Sequence, residues 1–217
     1  MQIRSFIATL AGWSMFAFAV VQTGAKAAVP FLLGCALSFP GAARAETPPR
    51  TPAPALNVER VEGAEGGKVY RITASGTVAA TQALAWQVLT DYDHLADFVP
   101  DLKSARVVNR DGARVIVDQH GTARFLFFSH DIHLRVQIHE QAPDRIDVSL
   151  IDGDMKVYRC RWELVSLNGG GTRVLYQATI EPKFLVPPIV GTSLVRNDIA
   201  AMLTAVFLRM ETQASPH

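Results

Sequence analysis

The sequence predicts an α+β fold: a curved antiparallel sheet of about six to seven strands wrapped around one long C-terminal helix, with two short helices after the first strand. Three observations carry this. Between Lys103 and Ile180, apolar residues recur at every second position in short runs separated by turn signals, the period of half-buried strands. After Pro187-Pro188 the period changes to three and four, as on a helix face. Helical signals elsewhere are confined to the segment after the first strand, so helix and sheet are segregated along the chain.

The N-terminus reads as a leader. Arg4 precedes an apolar run from Phe6 to Val21, and Lys26 precedes a second from Ala27 to Phe39 that ends in Ala43-Arg44-Ala45. Small residues flank Arg44 in the pattern a signal peptidase accepts, so residues 1–45 are expected to be a cleaved signal peptide and Glu46 the mature N-terminus. A start at Met15 would give a leader of ordinary length, with Lys26 as its basic region. Neither run has the unbroken ~20 apolar residues of a spanning helix. Leu32-Leu33-Gly34-Cys35 has the form of a lipobox, with Cys35 as the lipidated residue; cleavage after Ala45 is favoured because Ala36, Leu37 and Phe39 continue the apolar stretch. The mature chain then keeps one cysteine, Cys160, read as a buried small hydrophobe. Export predicts a periplasmic protein.

Prolines 48, 49, 52 and 54 make residues 46–57 an extended linker. The folded domain is expected over 58–212, with a short tail at 213–217. Tyr70, Ile72, Ala74 and Val78 set the first strand. Thr81 caps a short helix through Leu89, and Asp91 to Pro100 forms a helical turn and loop stopped by proline. Arg106–Asn109 and Arg114–Gln119 flank a hairpin turn at Asp111-Gly112. Ile132, Leu134, Val136 and Ile138 share one strand face. Ile146, Val148 and Leu150 follow Pro143-Asp144; Tyr158, Cys160, Trp162 and Leu164 follow Asp152-Gly153-Asp154; Val174, Tyr176, Ala178 and Ile180 follow Asn168–Gly171. Val195, Ile199, Met202, Val206 and Met210 then mark a helix from about Thr192 to Glu211. Leu194, Leu203, Phe207 and Leu208 widen its stripe, which calls for cover on more than one side.

Lys and Arg total 21 against 20 Asp and Glu, a net charge of +1, so no strong field draws the chain to nucleic acid. A nucleophile elbow, a phosphate-cradling loop and HExxH are all absent from the sequence.

Asp91-Tyr92-Asp93 through Phe98-Val99-Pro100, Asp152-Gly153-Asp154-Met155 leading to Trp162, Gly171-Thr172-Arg173 with Tyr176, and Pro182-Lys183-Phe184 to Arg196 stand in an order that resembles the SRPBCC (START/Bet v 1-like) superfamily, in particular its coenzyme Q-binding, polyketide cyclase/dehydrase-like branch. The resemblance spans about Arg71 to Glu211. It implies a helix-grip fold with a hydrophobic cavity between sheet and terminal helix, and ligands such as lipids, isoprenoid quinones or polyketides. It implies no cofactor.

Tyr92, Phe98, Phe125, Phe127, Trp162, Tyr176, Phe184, Val195, Ile199, Met202 and Val206 are the expected cavity lining, drawn from segments that converge on one interior. Phe125-Leu126-Phe127-Phe128 breaks alternation, so it calls for cover by a ligand, a membrane surface in transient contact, or a partner. His120, His130, His133 and His139 do not converge on one strand face, and a solvated sheet exterior is the preferred reading over metal. Asp91, Asp93, Asp97 and Asp101 read first as caps and turn residues, with an acid/base group at a cavity mouth as the alternative. No catalytic residue is assigned. The expected function is non-enzymatic binding or transport of a hydrophobic small molecule; a cyclase/aromatase-type enzyme using the same cavity is the alternative.

Overall fold

The structure, a computed structural model, describes residues 53–63, 66–125, 128–186 and 191–215, without the side chains of residues 124, 125 and 128. The leader and most of the linker lie outside those residues. The elements are β1 (Ala55–Glu62), β2 (Lys68–Val78), α1 (Gln82–Thr90), a 3-10 helix (Tyr92–Asp97), β3 (Leu102–Asp111), β4 (Arg114–Phe125), β5 (Phe128–Gln141), β6 (Arg145–Gly153), β7 (Met155–Ser166), β8 (Thr172–Pro182) and α2 (Gly191–Ala214). One antiparallel sheet of eight strands runs in the order β1-β2-β8-β7-β6-β5-β4-β3.

The strand beyond the expected six to seven is β1, and it moves the start of the fold to Ala55. Its signal is weak for a physical reason. β1 is an edge strand in which only Val58 is buried, and Val61, facing Val69 of β2, breaks the alternation. The interior strands each bury one face, and their inward phases match the sequence: Tyr70, Ile72, Val115, Val117, Val136, Ile138, Val174 and Tyr176 are all buried.

Turns and caps follow local chemistry. Thr81 Oγ1 accepts the Leu84 amide at 3.3 Å, closing the first turn of α1. Thr81→Ala is expected to cost about 1 kcal/mol, read from urea melts. Gly153 has φ +130°, and a Cβ there would stand 2.2 Å from the His133 carbonyl oxygen, so only glycine fits this bulge between β5 and β6.

The terminal helix is gripped at its C-terminal half. Leu203, Val206, Phe207 and Met210 are buried, whereas Leu208 is 50 % exposed, so the wide stripe is covered on one side rather than all round. At Gly76 of β2 a Cβ would fall 2.2 Å from the Phe207 ring, so the missing side chain lets the ring lie on the sheet. The closest approaches of α2 are to α1, β1 and β2. It stands farther from β4 to β7, and that gap contains the site.

Candidate ligand cavity

Three adjoining compartments occupy the gap. The first, about 180 Å³, lies beneath α1 and the 3-10 helix, walled by Leu89, Tyr92, Leu95, Ile138, Ile146, Cys160, Trp162 and Val206 among others. The second, about 250 Å³, shares Val99, Leu102, Gln119, Tyr158, Tyr176 and Met202 with the first. It opens between the Pro100–Leu102 loop and Asp198, Ala201 and Met202 of α2. The third, about 110 Å³, shares Ala123, Ile132, Met155, Ile180, Asp198 and Ile199 with the second and extends to Phe184, Val186, Leu194 and Val195. A larger hollow of about 620 Å³ on the outer sheet face is a shallow polar groove lined by Arg71, Arg159, Arg161, His139 and Asp147 among others. It is open to water and lacks the apolar enclosure of a small-molecule site.

Of the expected lining residues, Tyr92, Trp162, Tyr176, Phe184, Val195, Ile199, Met202 and Val206 face these compartments. Phe98 does not: its ring packs under the Arg209 guanidinium, 5.6 Å from its centroid, against the outer flank of the core. Phe125 ends β4, its side chain outside the description, and Phe127 lies outside the described residues. Beside Asp101 and Thr122, further lining residues with polar side chains are Gln119, Tyr158 and Asp198. Gln119 continues the inward phase of Val115 and Val117, and Tyr158 that of Cys160 and Trp162. Asp198 falls three residues after Val195 and four before Met202, so an acid sits on the edge of an apolar stripe.

The phenols differ in their partners. Tyr92 Oη donates to Glu140 at 2.9 Å, and Arg110 pairs with Glu140 at 3.1 Å while lying over the Tyr92 ring, which closes the floor of the first compartment. Tyr158 hydrogen-bonds Cys160. Tyr176, 3 % exposed, stacks at a tilt on Trp162. Burial drives all three phenols well above their usual range, Glu140 adding to it at Tyr92 and Cys160 at Tyr158 and Tyr176. They therefore stay protonated and act as neutral donors.

Cys160 is held neutral too, its thiol pushed up to about 12 chiefly by burial. Iodoacetamide at pH 8 is expected to alkylate it at least about 100-fold more slowly in the folded protein than in urea, as followed by intact mass.

Asp198 stands at the rim, exposed on its solvent side and bordering the second and third compartments. Desolvation, then the charge of Asp101, raises its carboxyl from 3.8 to about 6. Between those values the folded protein holds a proton that the unfolded chain releases, so ionised Asp198 costs stability above pH 6 and the cost fades as pH falls toward 3.8. Asp198→Asn is expected to raise Tm by about 2 °C at pH 7.5 and not at pH 4; the gain is small because solvent screens the exposed side.

The remaining acids and histidines lie elsewhere. Asp91 pairs with His94 and Asp93 accepts the Val107 amide, both on the exposed surface; of the four acids only Asp101 reaches the cavity. His120 stacks on His133, whose Nε2 lies 3.7 Å from Asp118 on the outer face. His130 points inward and stacks on Phe184. Among the described residues no three His, Cys, Asp or Glu side chains converge as metal ligands, and no helix is long and apolar enough to cross a membrane.

A curved antiparallel sheet closing on a C-terminal helix around an apolar space defines a helix-grip protein of the START/Bet v 1-like superfamily. Residues 78–207 match the model of the family described as polyketide cyclase/dehydrase and lipid transport, and the chain belongs to that family. No match is found among curated proteins. Among solved structures it is similar to TTHA0849 from Thermus thermophilus, at 19 % identity and TM-score 0.57, over 67 % of this chain and 99 % of that one. It is also similar to the Zhui aromatase/cyclase from Streptomyces sp. R1128, at 13 % identity and TM-score 0.57, over 67 % and 93 %. A STAR-related lipid transfer protein from Xanthomonas axonopodis aligns at 18 % identity and TM-score 0.53, over 70 % and 98 %. At these identities the likeness is one of fold.

Proposed function

We propose that this protein binds and carries a hydrophobic small molecule (a lipid, an isoprenoid quinone or a polyketide-like compound) in the bacterial cell envelope, without transforming it. The observation that carries the reading is the apolar space between the sheet and α2, whose deep hydrogen-bonding groups are phenols held neutral and the Gln119 amide. Such walls hold an oily guest and orient one oxygen on it, and they offer no nucleophile or strong base. The leader read at residues 1–45 supports an envelope location.

Native mass spectrometry of the protein expressed from its full coding sequence and recovered from the periplasmic fraction tests this. The expected spectrum shows the chain from Glu46 with a non-covalent adduct of a few hundred daltons, lost on organic extraction. A consistently empty protein contradicts the carrier; one still bearing its leader contradicts export.

One observation favours the cyclase/aromatase reading: Asp198, titrating at about 6, is an ionisable group at the cavity rim. Under that reading, incubation with a linear poly-β-keto thioester yields a cyclised product and Asp198→Asn abolishes it. The carrier reading predicts no product from either protein.

A further inference from the structure

The cavity has an asymmetry of charge that its apolar character conceals. Apart from Asp101, Asp198 is the one charged side chain lining any of the three compartments, and no Lys, Arg or His does so among the described residues. Asp198 has no hydrogen-bond or ion-pair partner among them either; its neighbour on α2, Arg196, is turned away to the Leu56 carbonyl oxygen. Deeper in the same second compartment, Tyr158, Tyr176 and Gln119 contribute polar side chains to the wall.

These groups define what the guest must carry. The waist of the cavity offers neutral donors and an amide, which match a carbonyl or hydroxyl oxygen on the ligand. The rim offers a carboxylate in a partly desolvated position, where a like charge is repelled more strongly than in open water. A carboxylate or phosphate head group that stopped at the mouth would lie against Asp198 with no described cation to receive it.

We propose that the cavity selects by charge, accepting uncharged or cationic hydrophobic molecules that carry a hydroxyl or carbonyl oxygen and rejecting anionic amphiphiles such as fatty acids and anionic phospholipids. This rests on the carrier reading and narrows its ligand class. Asp198 is the selecting residue. The raised carboxyl leaves it ionised at pH 7.5, where the selection operates.

The test uses three decyl compounds of fixed charge: 1-decanol, decyltrimethylammonium and decyl sulfate, each displacing the neutral dye Nile red from the mature protein at pH 7.5. Decanol and decyltrimethylammonium are expected to displace it with Kd values at least about tenfold below that of decyl sulfate. Asp198→Asn brings the three within about threefold, and Asp198→Lys makes decyl sulfate the tighter ligand over decyltrimethylammonium. Circular dichroism of each variant establishes that it is folded. Decyl sulfate binding the wild type as tightly as decanol overturns the inference and leaves the carrier intact. Discrimination that persists unchanged in both variants overturns it as well. Failure of all three compounds to displace the dye, or of the dye to bind, overturns the carrier reading and the inference with it.

Discussion

Ala123→Trp is expected to raise the Kd for a neutral hydrophobic probe by about 100-fold or more, close to 3 kcal/mol, while leaving the protein folded. Ala123 sits in the inward phase of β4 and borders both the second and the third compartment, the latter of about 110 Å³. An indole there fills the junction between them. The side chain is only half-buried and its neighbours Ile132 and Met155 also line open space, so the ring enters a void instead of forcing a packed core apart. Nile red titration beside a thermal melt measures both quantities, with Tm expected within about 3 °C of wild type. Unchanged dye affinity in a folded variant would move the binding site elsewhere, the larger outer polar groove being the first alternative.

The second large effect is on stability. Phe207→Ala is expected to cost about 3–5 kcal/mol, a large share of the roughly 5–15 kcal/mol that holds a domain folded. The ring is 1 % exposed and rests on the bare backbone of Gly76, so its removal leaves a cavity beneath α2 at the point where the helix is anchored. Gly76→Ala attacks the same contact from the sheet side, since its Cβ would stand 2.2 Å from the ring. The double variant is expected to cost less than the two single costs combined, because the new methyl occupies space the ring has left. Urea unfolding of the three variants measures this. A Phe207→Ala cost below about 1 kcal/mol would show that the helix is held by other contacts.

Fold and site were legible in the sequence to different depths. β2 and β4 to β8 each present one buried face, so their period-two patterns translate directly into side-chain direction. β1 escaped because an edge strand with one buried side chain needs little alternation. The lining residues contributed by β7, β8 and α2, such as Trp162, Tyr176 and Met202, were legible because strand phase and helix stripe both point them inward. Phe98 was misplaced since no period governs a residue that ends a short 3-10 helix; its ring turned to Arg209. Asp198 was passed over for the opposite reason. Reading a stripe for its apolar members hides the one charged member, and a carboxylate between Val195 and Met202 was itself the signal of a rim. Gln119, a polar residue in the inward phase of a strand, is a signal of the same kind.

Methyl resonances give the most direct test of an enclosed but unfilled space. Residues 46–217 contain three methionines, Met155, Met202 and Met210. Met155 and Met202 line the cavity, whereas Met210 is fully buried and lines none of the compartments. In protein labelled at the methionine methyl carbons and stripped of lipid, addition of 1-decanol is expected to shift the Met155 and Met202 signals saturably and leave Met210 in place. Three unmoved signals, or three moving together, would contradict a guest seated between sheet and helix.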